Sequence, residues 1–193
     1  MTDIQNEKFN KISFHFREIL IALNLDLTDK NLADTHNRVA KLFLEMFQGL
    51  EEGSEPLVTT FPNVEKYSSM VFVKDIPFYS MCAHHFVPFY GKAHIGYIPK
   101  DRILGISKLA RILEFYAKRP QVQERLTEQC VDYLWTSLQP LGAIAVIEAH
   151  HLCMEMRGVK KPGSLTVTSA IRGCFEDKAV REEFLDLLDR PSW

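Results

Sequence analysis

Cys82-Ala83-His84-His85 and, far downstream, His151-Leu152-Cys153 restrict most tightly how this chain can fold. Two thiols and up to three imidazoles suit one Zn²⁺, which holds its ligands about 2.0–2.3 Å from a common point. Any fold that uses them must bring two remote segments to one spot. A C-x-x-H interval fits a tight turn, so Cys82 and His85 can grip from one side. In an extended segment residues i and i+2 point the same way, so His151 and Cys153 would face one pocket. A hydrolytic zinc takes three protein ligands and keeps a water position open, so five candidates leave some histidines free to move protons. Each part alone is weak, because free cysteine is commonly a small buried hydrophobe and C-x-x-H occurs without metal. The downstream segment strengthens the reading. Ala143 to Met156 reads as a strand, with Leu152, Met154 and Met156 on one face and His151, Cys153, Glu155 and Arg157 on the other.

At 193 residues and 46% hydrophobic content the chain can bury one good core. A net charge of −2 gives no global attraction to nucleic acid or membrane, and neither is expected as a partner. No signal-peptide pattern and no apolar run long enough to span a bilayer are present, so a cytoplasmic location is expected. Cys130 and Cys174 read as packing residues rather than a disulfide.

Phe9 to Leu23 carries apolar residues at helical spacing, and Asp34-Thr35 is read as the cap of a second helix. Val39, Leu42, Phe43, Met46 and Phe47 form its apolar stripe, with Gly49 as its stop. Glu51 to Pro62 is acidic and loop-like. The reading therefore divides the chain near Val64 into an N-terminal helical region, 1–63, and a main domain, 64–193. Met70 to Phe78 and Phe86 to Ile98 read as antiparallel strands. Two helices follow, one opened by Gly105-Ile106-Ser107 and one after Pro120, then strands at Ala143 to Met156 and Ser164 to Phe175 and a helix at Lys178 to Leu188. The expected fold class is α+β, a four-stranded antiparallel sheet with two helices on one face. Uncovered edges on so small a sheet predict a homo-oligomer.

Ser107 is read as an N-cap, with Lys108 and Arg111 one turn apart behind it, so helix N–H groups and two cations can meet an anion such as a polyphosphate. A solvated basic face would look the same. Arg157, on the strand face of His151 and Cys153, adds a third cation, and Arg38 and Lys41 on the second N-terminal helix are weaker candidates. Gln123-Glu124 opens the helix after Pro120, where a carboxylate favours the helix dipole. The same carboxylate can accept two hydrogen bonds from adjacent N–H groups of a guanine edge.

Five separated motifs then carry a resemblance. They are Ser80-Met81-Cys82-Ala83-His84-His85, Gly91 to Pro99, Gly105 to Arg111, Arg119 to Thr127 and His151-Leu152-Cys153-Met154-Glu155-Met156-Arg157-Gly158. The chain resembles the zinc-dependent GTP cyclohydrolase I family from about Asp34 nearly to its C-terminus. The resemblance implies the tunnelling fold, with sheets joined into a pentameric β-barrel, two rings stacked as a decamer and sites at subunit interfaces. It implies Cys82, His85 and Cys153 as zinc ligands, with His84 and His151 as proton donors and acceptors. It assigns guanine to Glu124 with Gln123, the triphosphate to Lys108, Arg111, Arg157, Arg38 and Lys41, and assistance at the ribose to Ser107. The implied reaction is hydrolysis of GTP at guanine C8, loss of formate and recyclisation to 7,8-dihydroneopterin triphosphate, the first step of folate and pterin biosynthesis. Two positions depart from the family pattern: Ala83 stands where Glu is usual, and His36 where Pro is usual. The missing carboxylate motivates an alternative, a same-fold enzyme that stops at the ring-opened formamidopyrimidine or takes a modified purine nucleotide. A non-catalytic nucleotide-binding protein with structural zinc is the rival from another class.

Overall fold

The computed structural model describes residues 3–190. Two N-terminal helices, α1 (Asp3–Ala22) and α2 (Thr35–Met46), lie against each other, joined across their faces by Ser13 Oγ donating to Asn37 Oδ1 at 2.7 Å. The main sheet contains β2 (Val71–Cys82), β3 (Pro88–Ile98), β5 (Pro120–Gln121), β6 (Gly142–His151) and β7 (Thr166–Gly173), in the order β5-β2-β3-β6-β7. Its four long strands are antiparallel neighbours, and β5 adds two residues in parallel to the end of β2. A separate two-stranded ribbon pairs β1 (Thr60–Pro62) with β4 (Arg102–Leu104). Helices α3 (Ser107–Ala117) and α4 (Gln123–Leu138) cover one face of the main sheet, a short α5 (Leu152–Glu155) follows β6, and α6 (Lys178–Asp189) ends the described chain.

Strand alternation explains this layering. Phe89, Ala93, Ile95 and Tyr97 of β3 and Ala143, Ala145, Ile147 and Ala149 of β6 point toward Leu109, Ile112 and Leu113 of α3 and Leu126, Cys130, Val131 and Leu134 of α4. Small alanines opposite bulky helix residues let the two layers approach. Cys130 is buried there, and burial drives its thiol far above the ordinary range, so it serves as a packing residue. Ile144 and Val146 point the other way, where α6 covers them with Phe184, and Phe72 and Phe175 meet that ring edge-on. The terminal helix thus covers part of the face opposite α3 and α4.

Several local expectations need correction. The first helix begins at Asp3, a full turn and more before Phe9. Asp34 precedes α2, but its carboxylate accepts from Asn37 Nδ2 at 2.8 Å rather than from a helix N–H. With His36 in its first turn, α2 nonetheless starts at Thr35. Gly49 is not a helix stop. It is buried in a 3₁₀ turn, donates its N–H to Lys118 O at 2.9 Å, and a Cβ there would stand 2.2 Å from Phe115 O. Close approach of backbones is what requires glycine here. Ser107 is the first helical residue of α3, behind Ile106, and makes no capping bond. The strand read as Ala143 to Met156 stops at His151, and the strand read as Ser164 to Phe175 is Thr166–Gly173 followed by a 3₁₀ turn.

His94 gives the fold a pH dependence. It is 4% exposed, and its Nδ1 accepts the Asp75 N–H at 3.1 Å, beside the register shift where Asp75 takes a φ of 57°. Burial holds its pKa below the ordinary histidine value, against the pull of Glu148 and Asp75 and with help from Lys92 and Lys74. A depressed histidine pKa contributes stability above about pH 6.5 that is lost as pH falls through the folded value. The denaturation midpoint should therefore be flat above pH ~7 and fall below ~6.5, with a shallower fall for His94→Asn, which keeps an acceptor and cannot charge. Equal slopes for the two proteins would contradict this.

Candidate active site

The Cys82–His85 segment is the turn between β2 and β3. Cys82 N–H donates to Val87 O at 2.9 Å, and Phe86 N–H donates back to Cys82 O at 2.9 Å. Ala83 N–H donates to Gln121 O at 2.8 Å, which fixes the turn on β5. Phe86 closes it with a φ of 52°, and its ring packs on Phe43 of α2 and on Phe47 just beyond that helix, 6.2 and 5.4 Å between centroids. The N-terminal hairpin therefore braces the turn that carries Cys82 and His85.

From the other side, β6 ends at His151 and the chain turns into α5, whose second residue is Cys153. Ligand atoms of Cys82, His85 and Cys153 all lie within 4.8 Å of one another. Cys82 is buried, Cys153 half-buried and His85 exposed, so the group opens to solvent on one side. Burial and the adjacent Cys82 thiol push the Cys153 thiol up. Two thiols and an imidazole converging this closely fit a zinc or similar thiophilic cation, which would draw both sulfurs to the thiolate form. Held by these three donors, such an ion would keep a position for water on the exposed side. Arg157, in the turn after α5, donates Nη1–H to His85 Nε2 at 2.6 Å.

His151 stands beside this group. Its ring stacks on Phe89, 4.6 Å between centroids with an interplanar angle of 4°. Its Nε2 is 2.7 Å from Gln123 Oε1. Gln123 is 2% exposed, and its Nε2 donates to Ile147 O, Thr166 O and Thr168 Oγ1 at 2.9–3.1 Å. Two carbonyl partners fix that amide nitrogen, so the oxygen faces His151. Nε2 of His151 must therefore carry the proton, leaving Nδ1 as the free acceptor. Burial lowers the His151 pKa, while Glu124 and Glu155 oppose the fall. Gln123 thus orients His151 through its amide oxygen, while β6 and β7 engage its amide nitrogen. Its signal was only a glutamine at a helix start, indistinguishable from a surface residue.

Glu124, exposed in the first turn of α4, remains available to an incoming group. His84 is exposed next to His85, 6.3 Å between ring centroids. Lys108 and Arg111 lie on α3, and Arg111 lines a cavity of about 340 Å³ with Gln48, Ser54 and Lys118. Arg38 bridges Asp34 at 3.6 Å, and Lys41 lines another cleft beside Glu45 and Glu51. Among the described residues no hydrogen bond or ion pair joins these four cations to Cys82, His85 or Cys153.

Comparison with known proteins decides what this arrangement belongs to. A family profile described as GTP cyclohydrolase I matches residues 12–189. The chain belongs to the GTP cyclohydrolase I family. It is 54% identical over 181 residues to GTP cyclohydrolase 1 of Clostridioides difficile (strain 630), covering 92% of this chain and 95% of that protein. It is 55% identical over 177 residues to GTP cyclohydrolase 1 of Mycolicibacterium gilvum (strain PYR-GCK), covering 90% and 87%. It is 52% identical over 185 residues to GTP cyclohydrolase 1 of Carboxydothermus hydrogenoformans, covering 94% and 95%. Membership makes the chain an enzyme, and its antiparallel sheet under two helices is the α+β architecture expected of the tunnelling fold. Among the described residues no helix is long and apolar enough to cross a membrane.

Proposed function

We propose that this chain hydrolyses GTP at guanine C8, releases formate and recyclises the remainder to 7,8-dihydroneopterin triphosphate. The observation that carries the reading is the Cys82, His85 and Cys153 group within 4.8 Å, set beside a histidine whose tautomer is fixed. Zinc held there would supply a Lewis acid and an activated water. His84, exposed beside the ligands, delivers a proton to the imidazole nitrogen of guanine as that ring opens. His151 uses its free Nδ1 to take up a proton and return it to the ribose ring oxygen, and its depressed pKa makes the protonated form a stronger acid. Two hydrolyses consume two waters and free formate and an amine. Condensation of that amine with the rearranged ketone returns one water.

Glu124 reads guanine through two adjacent N–H groups. Lys108, Arg111 and Arg157 hold the triphosphate, with Arg38 and Lys41 from the N-terminal helices, and Ser107 assists at the ribose. The outer edge of β7, which ends the main sheet, supports a homo-oligomer whose sites are completed across subunit interfaces. This suits a decamer of two pentameric barrels closed through sheet edges such as β7. The 1–63 region then acts as a helical arm on the 64–193 catalytic domain, and the enzyme works in the cytoplasm.

The base-reading role is tested with Glu124→Gln, which offers one acceptor and one donor where two acceptors are needed. Formate release from GTP should lose about 10–100-fold in kcat/KM, the cost of one charge-assisted bond replaced by a mismatch. An unchanged kcat/KM would remove Glu124 from the guanine site.

A further inference from the structure

The sharp switch from β6 to α5 has its own fastening. His150 and His151 are adjacent on β6, so their side chains leave opposite faces of the sheet. His151 turns to Phe89, while His150 turns to Tyr90, 5.8 Å between centroids, and Tyr90 stacks in turn on Tyr79 at 5.8 Å. The His150 Nδ1 lies 3.1 Å from Glu155 Oε1, with the Glu155 side chain 16% exposed. A carboxylate only accepts, so Nδ1 carries the proton and donates. In an extended strand these two residues would stand about 16 Å apart and on opposite faces. The contact exists only because the chain folds back between them, and the segment it closes contains both His151 and Cys153. No other side-chain hydrogen bond among the described residues joins β6 to α5. The turn bearing Cys82 and His85 has Ala83 between them and supplies no carboxylate of its own.

We propose that His150 and Glu155 form a positioning clasp that sets where Cys153 stands relative to Cys82 and His85. Neither residue touches substrate or metal; the pair acts through the bend it closes. The tyrosine stack holds the imidazole from behind, Glu155 holds the helix, and Cys153 is carried between them. Groups that orient metal ligands typically govern affinity by about 10–100-fold. The inference rests on the metal reading of the triad.

The test compares full-length wild type with Glu155→Ala, His150→Ala and Glu155→Gln, using zinc affinity by chelator competition and the thiolate absorption of the Co²⁺-loaded proteins. Both alanine variants should bind zinc about 10–100-fold more weakly and show an altered Co²⁺ spectrum. Their metal-free unfolding midpoints should match wild type. Glu155→Gln keeps an oxygen that accepts from Nδ1–H, so it should recover most of the affinity, and the double alanine variant should be no worse than either single one. Stoichiometric zinc in wild type with equal affinity in the alanine variants would overturn the clasp and leave the metal reading intact. So would a loss that Glu155→Gln does not recover. Absence of zinc from wild type would overturn the metal reading and the clasp with it.

Discussion

Cys153→Ala is expected to abolish stoichiometric zinc and, with it, formate release from GTP. Cys82, His85 and Cys153 are the three donors that converge here among the described residues, and removing one leaves a pair that cannot define a site. Structural zinc sites with four ligands bind with roughly 10–16 kcal/mol, and one ligand's share corresponds to a weakening on the order of 10²–10³-fold. Cys153 is the better target of the two cysteines. Cys82 is 5% exposed and belongs to the main core, so its truncation would also remove packing. Cys153 only borders that core, and the fold should survive its loss. Metal content after dialysis, read beside the far-ultraviolet circular dichroism, checks this. A folded variant that retained one zinc per chain would contradict the ligand assignment.

The second large effect is expected from His151→Ala. Here zinc should remain bound, because His151 is turned toward Gln123 and Phe89 rather than offered to the metal. Turnover should fall by about 10²–10⁴-fold, the usual contribution of a positioned proton donor and acceptor. The two variants are thus separated by their metal content: one loses the ion and the rate, the other the rate alone. Loss of zinc from His151→Ala would make that histidine a ligand. Unchanged turnover would remove it from the chemistry.

Much of this site was legible in the sequence because its residue types are chemically demanding. Two cysteines and a cluster of histidines at turn and near-strand spacing have few other uses in one chain, and the structure brings Cys82, His85 and Cys153 together. The paired layers were legible for a similar reason: alternation in β3 and β6 and helical spacing in α3 and α4 both encode a buried side. What failed were features that depend on tertiary partners. Leu152 to Glu155 alternates apolar and polar residues like a strand, yet the chain leaves the sheet at His151 and takes one helical turn. Leu, Met and Glu are good helix formers whose alternation masked that preference, and the His150–Glu155 contact that favours the turn is invisible in a linear pattern. The orienting contact of Gln123 with His151 was not legible, because only burial reveals that its amide is engaged by β6, β7 and His151. The placement of α6 across the second face, and the small ribbon of β1 with β4, likewise follow from packing that no local period announces.

The most direct measurement incubates the purified, zinc-loaded full-length chain with GTP and quantifies formate together with the pterin seen by fluorescence after oxidation. One site that hydrolyses twice and then recyclises predicts the two products in equal amounts. Formate without pterin would show a reaction halted at the opened ring. Neither product, with zinc and GTP both bound, would contradict the catalytic account altogether.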